Sequence, residues 1–210
     1  MVMDGWGDIV PKSLLFNTKG VLKFKDCSKP YEQSGERRVI VKEIEFENKH
    51  YVSKPIYIVK NSSINTKKKI SKLFESMKDF SHPNIVDLVG VLPYAHSILI
   101  KENSVPADRQ ILWAIYHKYT GNLLEHLKNL IFPISITTIL SILNQVCAGI
   151  QFLHKKGVSI GNIGLGNILY SKEQSLYKIS DPFESLTKFV TGEDKSNSSN
   201  LFIKFWNIFS

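Results

Sequence analysis

The residues whose types and spacing could do chemistry lie between Leu153 and Asp181. An amphipathic pattern ends in Leu153-His154-Lys155-Lys156-Gly157, and a short loop follows. Two strand-like runs, Ile168-Leu169-Tyr170 and Tyr177-Lys178-Ile179, then flank a polar turn at 171–175. Inside the stretch stand two carboxamides, Asn162 and Asn167, and at its end one carboxylate, Asp181. A neutral amide has no usable proton affinity near neutral pH, so Asn162 cannot act as a general base. No other constellation competes. His50, His82, His96, His117, His126 and His154 show no metal-ligand spacing, and no Gly-x-Ser-x-Gly occurs. Cys27 and Cys147 are far apart and Cys147 falls inside a helical pattern, so a disulfide framework is not expected.

A chain of 210 residues has room for one domain or a small two-lobed one. Its 43% apolar and 22% charged content reads as globular. The net charge of +8, dense at Lys67-Lys68-Lys69, permits contact with nucleic acid or acidic lipid, although a solvated helix face and basic surface is the favoured reading. Residues 1–8 carry acids and no long apolar run, so no signal peptide is expected. No 18-residue apolar stretch is evident either, so no membrane-spanning helix is expected. A reducing, cytoplasmic setting fits these features.

The elements that must position the polar stretch follow in order. Val21-Leu22-Lys23-Phe24 alternates as a strand does, a turn-rich stretch covers 28–35, and 38–46 is β-rich. Asn48-Lys49 reads as a turn before the run Pro55-Ile56-Tyr57-Ile58-Val59-Lys60. Ile70, Leu73, Phe74 and Met77 fall at i, i+3, i+4 and i+7, which predicts a helix capped by Asn65 or Thr66. It leads into Phe80-Ser81-His82-Pro83-Asn84-Ile85-Val86, where His82 reads as a turn residue. Strands are predicted at 97–100 and 111–116. Asn122 and Glu125 form a capping-box-like start for a helix with Leu123, Leu124 and Leu127 on one face. A long helix is predicted over 135–154, with a main stripe of Ile139, Leu143, Val146, Ile150 and Leu153, widened by Ile136, Leu140, Cys147 and Ala148.

Taken in order, His82-Pro83-Asn84-Ile85-Val86 and the run from Gly157 to Leu169 make the chain resemble the protein kinase superfamily. Within it, the pattern is similar to tyrosine-kinase-like and receptor-interacting or mixed-lineage-kinase-domain-like members. The resemblance implies an α+β fold, with an antiparallel β small lobe carrying one helix and an incomplete helical large lobe. It implies an extension at 1–19, a small lobe and hinge at 20–119, a partial large lobe at 120–183 and a flexible segment with an apolar tail at 184–210. It puts Ile160, Gly161 and Asn162 where the family has His-Arg-Asp, so Asn162 stands at the degenerate catalytic position. Asn167 and Asp181 match the two Mg ligands, and Lys60, preferred over Lys42 by helix and loop length, matches the phosphate-holding lysine. Ile115 falls near the gatekeeper place, and the hinge over 116–119 includes Lys118. Of the glycine-rich phosphate loop only Gly35 remains, crowded by Glu36, Arg37 and Arg38. Leu73 replaces the usual helix glutamate, and Gly161 and Gly164 replace two cations of the loop.

Only 29 residues follow Asp181 (210 − 181), too few for the helical half of a kinase large lobe. Leaving four large aliphatics of the long helix uncovered would forgo about 6–12 kcal/mol, at roughly 1.5–3 kcal/mol each. Phe202, Phe205, Trp206 and Phe209 repeat at helical spacing. That tail is expected to dock on the long helix, to meet a partner or membrane surface, or to be the end of a truncated product. The expected function is a catalytically impaired, pseudokinase-like module. It would scaffold or regulate an active kinase or another signalling protein, with weak Mg-ATP binding through Lys60, Asn167 and Asp181 left open. The alternatives are an atypical active kinase, a basic nucleic-acid-binding domain and a non-functional truncated isoform. No nucleic-acid partner is expected, since exposed aromatics are not interleaved with the lysines.

Overall fold

Every second residue of an eleven-residue strand, Lys49–Val59, points to one of two separate apolar cores, and the small lobe grows on both sides of it. The computed structural model describes residues 10, 13, 15–16, 23–25, 41–59, 62–93, 109–130, 133–158, 160, 163–180 and 182, with backbone alone at 23–25 and 109–110. The elements are β1 (Lys23–Lys25), β2 (Lys42–Phe46), β3 (Lys49–Val59), α1 (Ile64–Asp79), β4 (Leu88–Pro93), β5 (Arg109–His117), β6 (Gly121–Asn122), α2 (Leu123–Lys128), α3 (Ile136–Lys155), β7 (Ile168–Ser171) and β8 (Leu176–Ile179). A single 3₁₀ turn, Leu165–Asn167, precedes β7.

The small lobe is a five-stranded antiparallel sheet in the order β1-β2-β3-β5-β4. β2 and β3 are joined by Glu47 and Asn48, both at positive φ (50° and 59°), the two-residue hairpin turn that matches strand twist. The turn therefore sits one residue earlier than Asn48-Lys49. One face of the sheet, with Ile56, Ile58, Leu112 and Ala114, packs on Ile70, Leu73, Phe74 and Met77 of α1. The opposite face buries Ile44, Phe46, Tyr51, Leu92, Ile111, Trp113 and Ile115. α1 starts at Ser63, whose hydroxyl accepts the Thr66 N–H at 3.2 Å, so the cap is Ser63 rather than Asn65 or Thr66. β4 was not anticipated, and the strand expected at 97–100 lies outside the described residues, as does the tail.

In the large lobe β6, β7 and β8 form a small antiparallel sheet against which α3 packs. Ser135 caps α3, with its hydroxyl accepting from Thr138 N–H at 3.1 Å. Asn122 caps α2, accepting from Glu125 N–H at 2.8 Å. The α3 stripe is rotated from the expected one: Ile142, Val146, Gly149 and Leu153 are buried, while Leu143 is exposed. α3 is also long and apolar enough to cross a membrane by length and composition alone, which corrects the reading that no such stretch exists. Its buried row packs against β8 and the Asn84–Ile85 loop, while most of the helix surface stays exposed.

The lobes meet through main chain. Ile179 N–H donates to Asn84 O at 2.9 Å and Val86 N–H to Ile179 O at 3.1 Å, a strand-like bridge between the loop after α1 and β8. Asn84 Nδ2 donates to Tyr177 O at 2.9 Å and to Gln145 Oε1 at 3.1 Å. Gly149 lies so close that a Cβ there would sit 2.8 Å from Asn84 O and 3.0 Å from Ile179 Cδ1.

Candidate functional site

In the kinase-like arrangement that the sequence resembles, the cleft would lie between the α1 side of the sheet and the 3₁₀ turn with the β7–β8 hairpin. Asn167 closes that turn: its N–H donates to Gly164 O at 2.9 Å, and it is 6% exposed. Its carbonyl accepts both the N–H of Ser180 (2.8 Å) and the Ser180 hydroxyl (3.0 Å). Ser180 is thus fixed to Asn167 through both its backbone N–H and its hydroxyl. Asp181, Asn162 and Lys60 themselves lie outside the described residues.

The upper wall departs from expectation. Ile115 is fully buried in the core on the far face of the sheet, with Ile111 and Trp113. In β5 the residues on the α1 side are Leu112, Ala114 and Tyr116. A one-residue change of register reverses the face of every side chain, which is why Ile115 does not line the cleft. Lys118 is also engaged elsewhere. Its N–H donates to His50 O at 3.2 Å, and its ammonium pairs with Glu43 at 2.9 Å. Glu43 neighbours Val52 in the β2–β3 register, with Ile44 pointing to the far core, so the ion pair stands on the cleft side of β2.

Two lysines can now be placed. Lys42 shares the parity of Ile44 and Phe46 and belongs to the far face. Lys54 shares the parity of Ile56 and Ile58, so it stands on the α1 side, in register with Ala114. Sequence reasoning passed over Lys54 because a lysine before Pro55 breaks the apolar run that marks a strand; the alternation in β3 was the signal that finds it.

A second cluster was also missed. Lys178 is 8% exposed, and its ammonium donates to Asp87 Oδ2 at 3.0 Å and Ile85 O at 3.3 Å, with the Tyr119 ring 5.9 Å away. Burial, with the nearby Asp87 carboxylate adding to it, pushes the Tyr119 phenol up to about 12. His82 accepts the Asn84 N–H on Nδ1 at 3.1 Å and stacks on Phe152. Partial burial, then the Lys178 charge, holds its imidazole below its ordinary value. These groups tie the inter-lobe seam, and the visible sign in sequence was a lone lysine between Tyr177 and Ile179. Among the described residues no group of His, Cys, Asp and Glu is arranged to hold a metal.

The strand order, the helix between β3 and β4 and the β7–β8 hairpin after the Asn167 turn coincide with a match over residues 32–206 to the family described as protein tyrosine and serine/threonine kinase. The chain belongs to the protein tyrosine and serine/threonine kinase family. No curated protein matches it. The α+β fold is that of the kinase small lobe with a limited helical portion. Kinases of this family generally bind ATP with Mg. The described residues fit that group at one end only. Asn167, which the resemblance matches to a metal ligand, is buried in an ordered turn, while at the purine end Ile115 faces the far core and the Lys118 ammonium pairs with Glu43.

Proposed function

We propose that this kinase-family chain does not transfer phosphate and acts as a regulatory or scaffolding module, engaging an active kinase or another signalling protein in the cytoplasm. The observation that carries this reading is Asn162, a carboxamide at the place where the family positions its proton-accepting carboxylate. The Glu43–Lys118 pair supports it, since an ion pair on the cleft side of β2 competes with a purine for the hinge. The Leu73 side chain, buried in the α1 core at the family's glutamate position, supports it too, because no activating carboxylate points from there to a lysine.

The test is phosphotransfer from Mg-ATP to a generic protein acceptor, with a thermal-shift measurement beside it. The wild-type chain is expected to transfer nothing above background and to melt at the same temperature with and without Mg-ATP. Turnover that Asp181→Asn abolishes overturns the proposal in favour of an atypical active kinase, the reading that the ordered Asn167 turn favours. A thermal shift without turnover keeps the module inactive but makes nucleotide its regulator.

A further inference from the structure

On α3, opposite the buried row, Ile136 is 67% exposed and Leu140 and Leu143 are each 52% exposed. With Cys147 they form one stripe at i, i+4, i+7 and i+11, and Cys147, Ile150, Gln151 and His154 line an open groove that continues it. The helix carries no Asp, Glu or Arg and no Lys before Lys155, so nothing charged breaks this face until its last turn. We propose that the segment from Phe202 to Phe209 of the same chain docks on it as a helix, across Leu140, Leu143 and Cys147.

Three facts favour this occupant. Phe202, Phe205, Trp206 and Phe209 fall at i, i+3, i+4 and i+7, an aromatic stripe without a partner of its own in sequence. Leu140 to Cys147 and Phe202 to Phe209 each advance seven residues, about 10 Å of helix, so ridges of one match grooves of the other over the same length. The tether also suits: β8 lies against α3 at Gly149, and the chain leaves this place through Ser180 and Pro182. The 20 residues from Pro182 to Phe202 (202 − 182) would span about 25 Å as a flexible chain, enough to round a helix about 10–12 Å thick. A contact that would be weak between separate chains is then populated by an effective concentration in the mM range.

The experiment uses the full chain with Cys27→Ser, which leaves Cys147 as its one thiol, and adds Phe205→Cys or, as a control in the tether, Ser198→Cys. Oxidation should close a disulfide from Cys147 within one chain, independent of protein concentration. It should form about tenfold faster for Phe205→Cys than for Ser198→Cys, because docking raises the effective concentration of position 205 at Cys147 above that of a position in the tether. Adding Leu143→Ser, at an exposed position outside the buried row, should remove that advantage while the cooperative melt remains. Cross-links that form between chains and rise with concentration would assign the face to a second copy and overturn the proposal. Equal rates for both cysteines, or no cross-link at all, would overturn it as well.

Discussion

Helix α1 buries its whole apolar row, Ile70, Leu73, Phe74 and Met77, against the sheet, whereas α3 buries one row and leaves Ile136, Leu140 and Leu143 in solvent. Both carry the same periodic signal. α1 has one apolar stripe and one partner surface, so its periodicity and its burial coincide. α3 is apolar around most of its girth and, among the described residues, meets chiefly the β7–β8 hairpin and the loop at 80–85, so its periodicity states how many sides want cover and not which side finds it. The difference teaches that a hydrophobic pattern measures demand for burial, and that supply comes from the neighbours a chain can put in place.

Substitutions should separate the two helices sharply. Phe74→Ala is expected to cost about 3–5 kcal/mol in chemical denaturation, since its ring is 1% exposed between helix and sheet. Ile136→Ala, on the uncovered face and a turn away from Leu140, should stay within about 0.5 kcal/mol. Equal losses at the two positions would break the comparison by showing that α3 is covered along its whole length.

The seam between the lobes should answer asymmetrically. Asp87→Asn leaves the Lys178 ammonium with Ile85 O and no carboxylate, for a loss of about 1.5–3 kcal/mol. Lys178→Met leaves an Asp87 side chain that is 41% exposed and open to water, and should cost clearly less. Gly149→Ala is expected to cost about 1–3 kcal/mol, because backbone at Asn84 must give way. Hydrogen exchange at Val86 and Ile179 should accelerate in that variant ahead of exchange in the small-lobe sheet. Asn122→Ala, removing the cap of the six-residue α2, should cost about 1 kcal/mol.

The smallest effect expected is with pH. His82 has a folded pKa below its ordinary 6.5, so the unfolded chain binds that proton more readily. Its contribution to stability is complete above pH 6.5 and is lost as pH falls through the depressed folded value. Lys178→Met removes the lesser of the two causes, so NMR titration of the imidazole should show its pKa moving part of the way back up. An unchanged titration would mean that burial alone sets it.

Much of this fold was legible in the sequence. The α1 row, the cap at Asn122 and the β7–β8 hairpin rest on local rules, in which neighbouring residues decide. The misplaced features depend on distant partners. The face of Ile115 is set by register with β3, the buried row of α3 by where Gly149 can approach Asn84, and the position of Lys118 by Glu43 and His50. Of the expected metal end, the described residues hold Asn167, placed by a local turn. It was misread at the hinge, where one residue of register exchanges one core for the other.

The backbone bridge between Asn84–Val86 and Ile179 has a mechanical consequence. Among the described residues the lobes are joined at the covalent hinge, which the Thr120 N–H anchors to Tyr170 O, and at this bridge, with the Asn84 side chain, the Lys178–Asp87 pair and the His82–Phe152 stack beside it. A body held at one point can swivel in any direction, but one held at two can only turn about the line between them. Two such anchors would favour rocking about the line between them, with the loop at 84–86 following the β8 backbone to which it is bonded.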